Sequence, residues 1–190
     1  MKKVLLSSMI ISVFAFANTK VDDLKWTGDY ETLVNLNSNA KNTIEGIDTN
    51  KNGIRDDIEY FVVNKYKDKP FQKELFLEAA KKLQTILTLP KNAPVKLRAK
   101  LDHELINIYT CRDYMLYKLE AKNIDEELKN KLIFKSKVLN TKDRLKRYLT
   151  HKQLVPINED DMEYNTINNE RKNCELKYQK FINKDMITSN

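Results

Sequence analysis

Gly28, Gly46 and Gly53 are the only glycines in the 190 residues, and from residue 54 onward the chain has none. Pro70, Pro90, Pro94 and Pro156 fall between segments of helical periodicity. This distribution points to an irregular N-terminal arm followed by a helical domain in which proline marks the breaks. No run of apolar/polar alternation is long enough to argue a strand.

The helical stripes are explicit. Residues 56–68 set Ile58, Phe61, Val62 and Tyr66 at three-, four- and eight-residue spacing, and residues 71–88 repeat the pattern with Phe71, Leu75, Phe76, Ala79, Leu83, Ile86 and Leu87. Residues 95–122 carry Leu97, Leu101, Leu105, Ile108, Met115 and Leu119, and residues 124–139 carry Leu128, Leu132, Ser136 and Leu139. Thr141 is suited to cap a segment 142–154 with Leu145, Tyr148 and Leu149. A last segment, 162–183, uses Ile167, Cys174, Tyr178, Phe181 and Ile182. Each stripe is expected to face a core, with charged and amide residues opposite. The expected fold class is all-α: a five- or six-helix bundle over 48–190. Before it, residues 18–47 form an arm with Trp26, Tyr30, Leu33, Val34 and Leu36 and no clear period. At about 100–200 residues per domain, the length suggests one domain.

Met1-Lys2-Lys3, the apolar run Val4 to Phe16 and the small residues around Ala15-Phe16-Ala17 have the layout of a secretory signal peptide over 1–17. The run is too short for a bilayer, which needs about 20 apolar residues. The mature chain is expected to start at Asn18 and to be periplasmic or secreted, with no transmembrane segment. The formal net charge is +7, of which Lys2 and Lys3 supply two. What remains is mild, and an exported chain has little call for nucleic acid.

Two cysteines exclude a disulfide-dense scaffold and any Cys-based zinc finger. Cys111 and Cys174 lie near apolar stripes of different segments. In an oxidising compartment the simplest reading is a disulfide between them; two buried free thiols are the alternative.

One stretch carries chemistry. Counting Asp48 as position 1 puts Asn50 at 3, Asn52 at 5, Gly53 at 6, Asp56 at 9 and Glu59 at 12. These fit the twelve-residue calcium-loop pattern at every specified position. Calcium takes six to eight oxygens, so a short loop must turn alternate side chains inward. Asp48, Asn50 and Asn52 would give one oxygen each, Ile54 its carbonyl, Asp56 a direct or water-mediated contact, and Glu59 both carboxylate oxygens. Gly53 would allow the bend. Three departures separate it from a paired EF-hand: no helical pattern precedes it, position 8 is Arg55 rather than an apolar residue, and the chain has one such loop. Asn at positions 3 and 5 lowers the ligand charge, which points to weak, structural binding with Kd on the order of 10⁻⁴–10⁻³ M. A plain Asn-Gly turn before an Asp-started helix explains Asn52, Gly53 and Asp56, but not Asp48, Asn50 and Glu59 together.

The string I-D-T-N-K-N-G-I-R-D-D-I-E (Ile47 to Glu59) is joined by E-A-A-K-K-L-Q (Glu78 to Gln84), Cys111 and N-T-K-D-R-L-K-R-Y (Asn140 to Tyr148). With these the chain resembles, over about residues 44–150, a family of uncharacterised exported bacterial proteins with a calcium-type loop. The resemblance implies export, a helical fold and the loop, and no particular substrate.

Other constellations fall short. His103 and His151, the two histidines, match no zinc spacing. Glu159, Asp160, Asp161 and Glu163 make an acidic loop, but spacing cannot set two carboxylates across a cleft. Lys135, Lys137, Lys142, Arg144, Lys146, Arg147 and Lys152 face only Asp143 in the span 135–152. That span is either a solvated helix face or a basic face for an anionic envelope component. The reading favoured by the sequence is an exported, non-enzymatic binding or structural protein with calcium as its ion. The alternatives are an envelope hydrolase using carboxylates the sequence does not place, and a binder of anionic surfaces through 135–152.

Overall fold

The computed structural model describes residues 43–118, 124–156 and 164–185. The expected signal peptide 1–17, residues 18–42 of the expected arm with Trp26, Leu119, and the acidic residues 159–163 lie outside the described residues, as do the side chains of Ile167 and Ile182.

The described residues form six helices and no strand, an all-α bundle: α1 Asp56–Lys65, α2 Pro70–Thr88, α3 Val95–Lys118, α4 Ile124–Val138, α5 Lys142–Leu154 and α6 Tyr164–Asp185. The starts have local causes. Asp56, Asp57 and Glu59 place negative charge in the first turn of α1, where the helix dipole favours it. Pro70 opens α2 at a position whose N–H has no intrahelical acceptor. Thr141 caps α5, its side chain accepting from Arg144 N at 3.2 Å. The helix α6 is broken locally at Tyr178, whose φ of −110° and ψ of 16° are not helical. No described helix is long and apolar enough to cross a membrane.

Packing centres on α2, which touches each of the other five helices. Its whole expected stripe, from Phe71 to Leu87, is buried. Phe76 stacks on Tyr66 with ring centroids 4.7 Å apart and meets Phe134 at the same distance. On the other side Phe71 meets the edge of Tyr178 at 5.1 Å. Cys111 of α3 and Cys174 of α6 form a disulfide across 63 residues of chain.

Three expected stripes are corrected. Leu128 and Leu132 on α4, Leu145 and Leu149 on α5, and Leu97 on α3 are exposed. The buried faces are instead Glu127, Asn130, Phe134 and Val138 on α4, and Arg144, Tyr148 and His151 on α5. Polar side chains can occupy a core when they arrive with partners. Arg112 of α3 meets Glu127 at 2.8 Å, and Arg144 meets Asn140 Oδ1 at 2.6 Å. The basic span 135–152 is accordingly not all solvated: Arg144 is buried, and Arg147 Nε donates to the Leu87 carbonyl.

The lack of late glycine has a structural counterpart at the helix ends. A helix leaves its last four carbonyls without intrahelical donors, and a glycine-based C-cap is the common remedy. Here guanidinium groups serve. Arg55 donates to the Val138 and Lys137 carbonyls at the end of α4, at 3.0 and 3.4 Å. Arg147 reaches the Leu87 carbonyl in the last turn of α2 at 3.2 Å. Arg98 gathers the carbonyls of Pro90, Lys91 and Ala93 in the following link, at 2.9, 3.0 and 3.2 Å.

Candidate functional site

The loop 48–59 begins where two backbone features fold it back. Lys51 has a φ of 57° and Gly53 a φ of 85°, both in the left-handed region. Asp48 stabilises that turn: Oδ1 accepts from Asn52 N at 3.1 Å and Oδ2 from Gly53 N at 2.8 Å. Asn50 Oδ1 accepts from Asn52 N at 3.2 Å, and Asn52 Oδ1 from Ile54 N at 2.8 Å. The Asn and Asp side chains thus build successive turns on their own backbone. Ile54 buries its side chain in the core and anchors the loop to it. Asp56 N then donates to the Ile47 carbonyl at 2.8 Å, closing the loop against the start of α1.

The wrap brings distant positions together. Asn50 Nδ2 donates to Glu59 Oε2 at 3.1 Å and Asn52 Nδ2 to Glu59 Oε1 at 3.0 Å. Asp56, also buried, accepts from Thr49 N at 3.0 Å and Thr49 Oγ1 at 2.6 Å. Five predicted side chains, those of Asp48, Asn50, Asn52, Asp56 and Glu59, therefore join one hydrogen-bonded loop. Three of them are carboxylates, and each is held by N–H or O–H donors. Among the described residues, no three His, Cys, Asp or Glu side chains cluster as a metal-holding group.

Glu59 is the electrostatic anomaly of this loop. It is 0% exposed, its hydrogen bonds come from two neutral carboxamides, and it has no Lys or Arg partner among the described residues. Burial pushes its carboxyl above the usual carboxylate range, and nearby Asp56 and Asp48 add to the rise against the two amide hydrogen bonds. Glu127 is the contrast. Burial would raise it too, but Gln72, Lys69 and Arg112 outweigh that and hold it below the usual range. A buried carboxylate without a cation is a costly arrangement.

The donor set fits a hard cation in kind: three carboxylates, two carboxamide oxygens and a backbone carbonyl. The two carboxamides present nitrogen to Glu59, so oxygen coordination there requires each to turn over about its terminal bond.

Two contributors escape a spacing argument. Thr49 satisfies Asp56, and no local pattern announces it. Gly46 has a φ of 68°, and a Cβ built there would lie 2.2 Å from Arg55 Cδ. Its only sequence signal is an isolated glycine two residues ahead of the loop. Gln84 of α2 ties this entry down, donating to the Glu45 carbonyl at 2.8 Å.

A second concavity, about 340 Å³, lies between α2, α3 and α6 over the disulfide. Its carboxylates are engaged with basic groups: Glu78 with Lys177 at 2.5 Å, Glu104 with Lys82 at 2.5 Å and Glu170 with His103 at 3.4 Å. Glu59 lies outside this lining. His151, 1% exposed, sits 3.6 Å from Asp102 with both ring nitrogens lacking a hydrogen-bond partner. Burial is the main cause that lowers its pKa, with Asp102 opposing and Arg98 and Lys152 assisting.

Comparison with protein-family models, curated proteins and solved structures finds no match.

Proposed function

We propose that this chain is an exported, non-enzymatic helical module whose loop 48–59 takes one structural calcium ion. The observation that carries the reading is Glu59: a buried carboxylate, within the electrostatic reach of Asp48 and Asp56, bonded by neutral amides and by no cation among the described residues. Asp48, Asn50, Asn52, the Ile54 carbonyl, Asp56 and Glu59 are the ligands. The ion supplies the positive charge that Glu59 lacks among the described residues. Glu59 and Asp56 tie that charge to the first turn of α1, while Asp48 keeps the turn that presents the two asparagines. Calcium then acts as a clip between the chain entering the bundle and its first helix.

Calorimetric titration of the EGTA-treated protein with calcium chloride tests this, with magnesium chloride as the control. A single site with Kd on the order of 10⁻⁴–10⁻³ M is expected. Absence of calcium heat, or equal magnesium binding, overturns it.

A further inference from the structure

Leu128, Leu132, Leu145 and Leu149 stand exposed on helices that touch α3 and each other. Lys131 of α4 sits over the Tyr109 ring of α3 at 4.7 Å and pairs with Asp113 at 3.3 Å. Lys135 of α4 sits over the Tyr148 ring of α5 at 4.5 Å, and Lys152 of α5 pairs with Asp102 of α3 at 2.7 Å. These contacts join α3 to α4, α4 to α5 and α5 to α3. Within one helical turn of them stand Ile106 and Tyr117 on α3, Leu128 and Leu132 on α4, and Leu145 and Leu149 on α5, each between 44% and 80% exposed. A group of large apolar side chains left outside on three neighbouring helices marks an interaction surface.

Charge narrows the occupant. Residues 126–154 hold nine Lys and Arg against three Asp and Glu. On α3, the buried Asp102 and the exposed Asp113 are already paired with Lys152 and Lys131. Lys129, Lys142 and Lys146 make no ion pair among the described residues and remain exposed. Protein interfaces are depleted of lysine and enriched in Arg, Met and aromatics at their centres. Leucines interleaved with lysines instead match a helical surface that lies on a membrane, with apolar side chains in the headgroup boundary and ammonium groups on anionic lipid. Tyr117, the most exposed of the six, has the amphipathic ring that favours that boundary.

We infer that the α3–α4–α5 face docks the protein onto an anionic lipid surface. The binding is peripheral and reversible, and it is separate from the calcium loop.

Co-sedimentation with phosphatidylglycerol/phosphatidylcholine vesicles tests the inference, using the chain from Asn18 on, the form expected after export. The protein sediments with anionic vesicles at low salt and not with pure phosphatidylcholine. Raising salt to about 0.5 M weakens binding at least tenfold. The double variant L132Q/L149Q binds at least tenfold more weakly, and K142Q/K146Q about thirtyfold more weakly. Both pairs are surface substitutions, so an unchanged Tm confirms that folding is intact. Equal binding to neutral vesicles, no binding to anionic ones, or variants that bind like the parent overturns it. So does a concentration-dependent dimer that L132Q/L149Q abolishes, because a second copy then covers the face.

Discussion

Arg144 Nη2 donates to the Thr43 carbonyl at 2.6 Å, across 101 residues of chain. The same guanidinium reaches the Ile44 carbonyl at 3.4 Å and Asn140 Oδ1 at 2.6 Å. Burial is the main cause that brings its pKa down to about 10, with neighbouring Arg55 adding repulsion. One buried cation on α5 therefore fixes how the chain enters the loop 48–59. Arg144→Met should destabilise the fold by about 2–4 kcal/mol, since it takes a buried guanidinium away from the part-buried Thr43 and Ile44 carbonyls and Asn140. Arg144→Lys should recover little of it, because one ammonium cannot fork to three acceptors. Urea unfolding of the three proteins measures both.

Calcium at about 10 mM should stabilise the parent protein by roughly 1.4–2.7 kcal/mol if Kd lies between 10⁻⁴ and 10⁻³ M. That corresponds to a Tm rise of about 3–10 °C. Glu59→Gln and Asp48→Ala should abolish the rise. The two differ without the ion. A raised Glu59 pKa means its protonated form contributes stability that is full below the unfolded value and lost as pH climbs through the folded one. At pH 7 in EGTA, Glu59→Gln removes that loss and should unfold above the parent, whereas Asp48→Ala, which breaks two backbone contacts, should unfold below it. Differential scanning calorimetry distinguishes these outcomes.

Gly46 and Gly53 share a positive φ but differ in space. At Gly53 an added Cβ would find Lys81 Cε at an ordinary 3.4 Å, so Gly53→Ala should cost about 1–2 kcal/mol of backbone strain. At Gly46 the Cβ would also collide with Arg55 Cδ. Gly46→Ala should cost more, about 3 kcal/mol, strain and overpacking together. Chemical denaturation in EGTA checks the order.

His151 supplies an acid sensitivity. Its lowered pKa means the neutral ring contributes stability present above the unfolded value near 6.5, lost as pH falls through the folded value. The parent should lose stability on acidification with a slope of at most about 1.4 kcal/mol per pH unit from this group. In His151→Leu that component should vanish between pH 7 and 5.5, as read from urea midpoints at each pH.

Reducing the Cys111–Cys174 bridge should lower stability by up to about 4 kcal/mol on the chain-entropy account. The urea midpoint should fall when dithiothreitol is added, and the reduced protein should match Cys111→Ala/Cys174→Ala.

Helix positions were legible because proline, Thr141 and the dense stripe of α2 are local signals. The faces of α4 and α5 were not. Leu128, Leu132, Leu145 and Leu149 satisfy helical periodicity as well as any core stripe, yet the core took Glu127, Arg144 and His151. What decides between the two faces is a partner far away in sequence, such as Arg112 for Glu127 or the Thr43 carbonyl for Arg144, and periodicity carries no record of it. The loop divides the same way. Its oxygen spacing is local and was readable from Asp48 to Glu59. The roles of Thr49 and Gly46 depend on Asp56 and Arg55 in three dimensions.

Ending helices with guanidinium groups borrowed from other segments makes each terminus conditional on the assembled whole. A glycine stops a helix within its own few residues, even in a short peptide. Here, a synthetic α4 alone has nothing to arrest it at Val138, and should fray at that end rather than stop sharply. Losing one segment should therefore loosen the boundaries of its neighbours, so that the bundle comes apart as one unit rather than helix by helix.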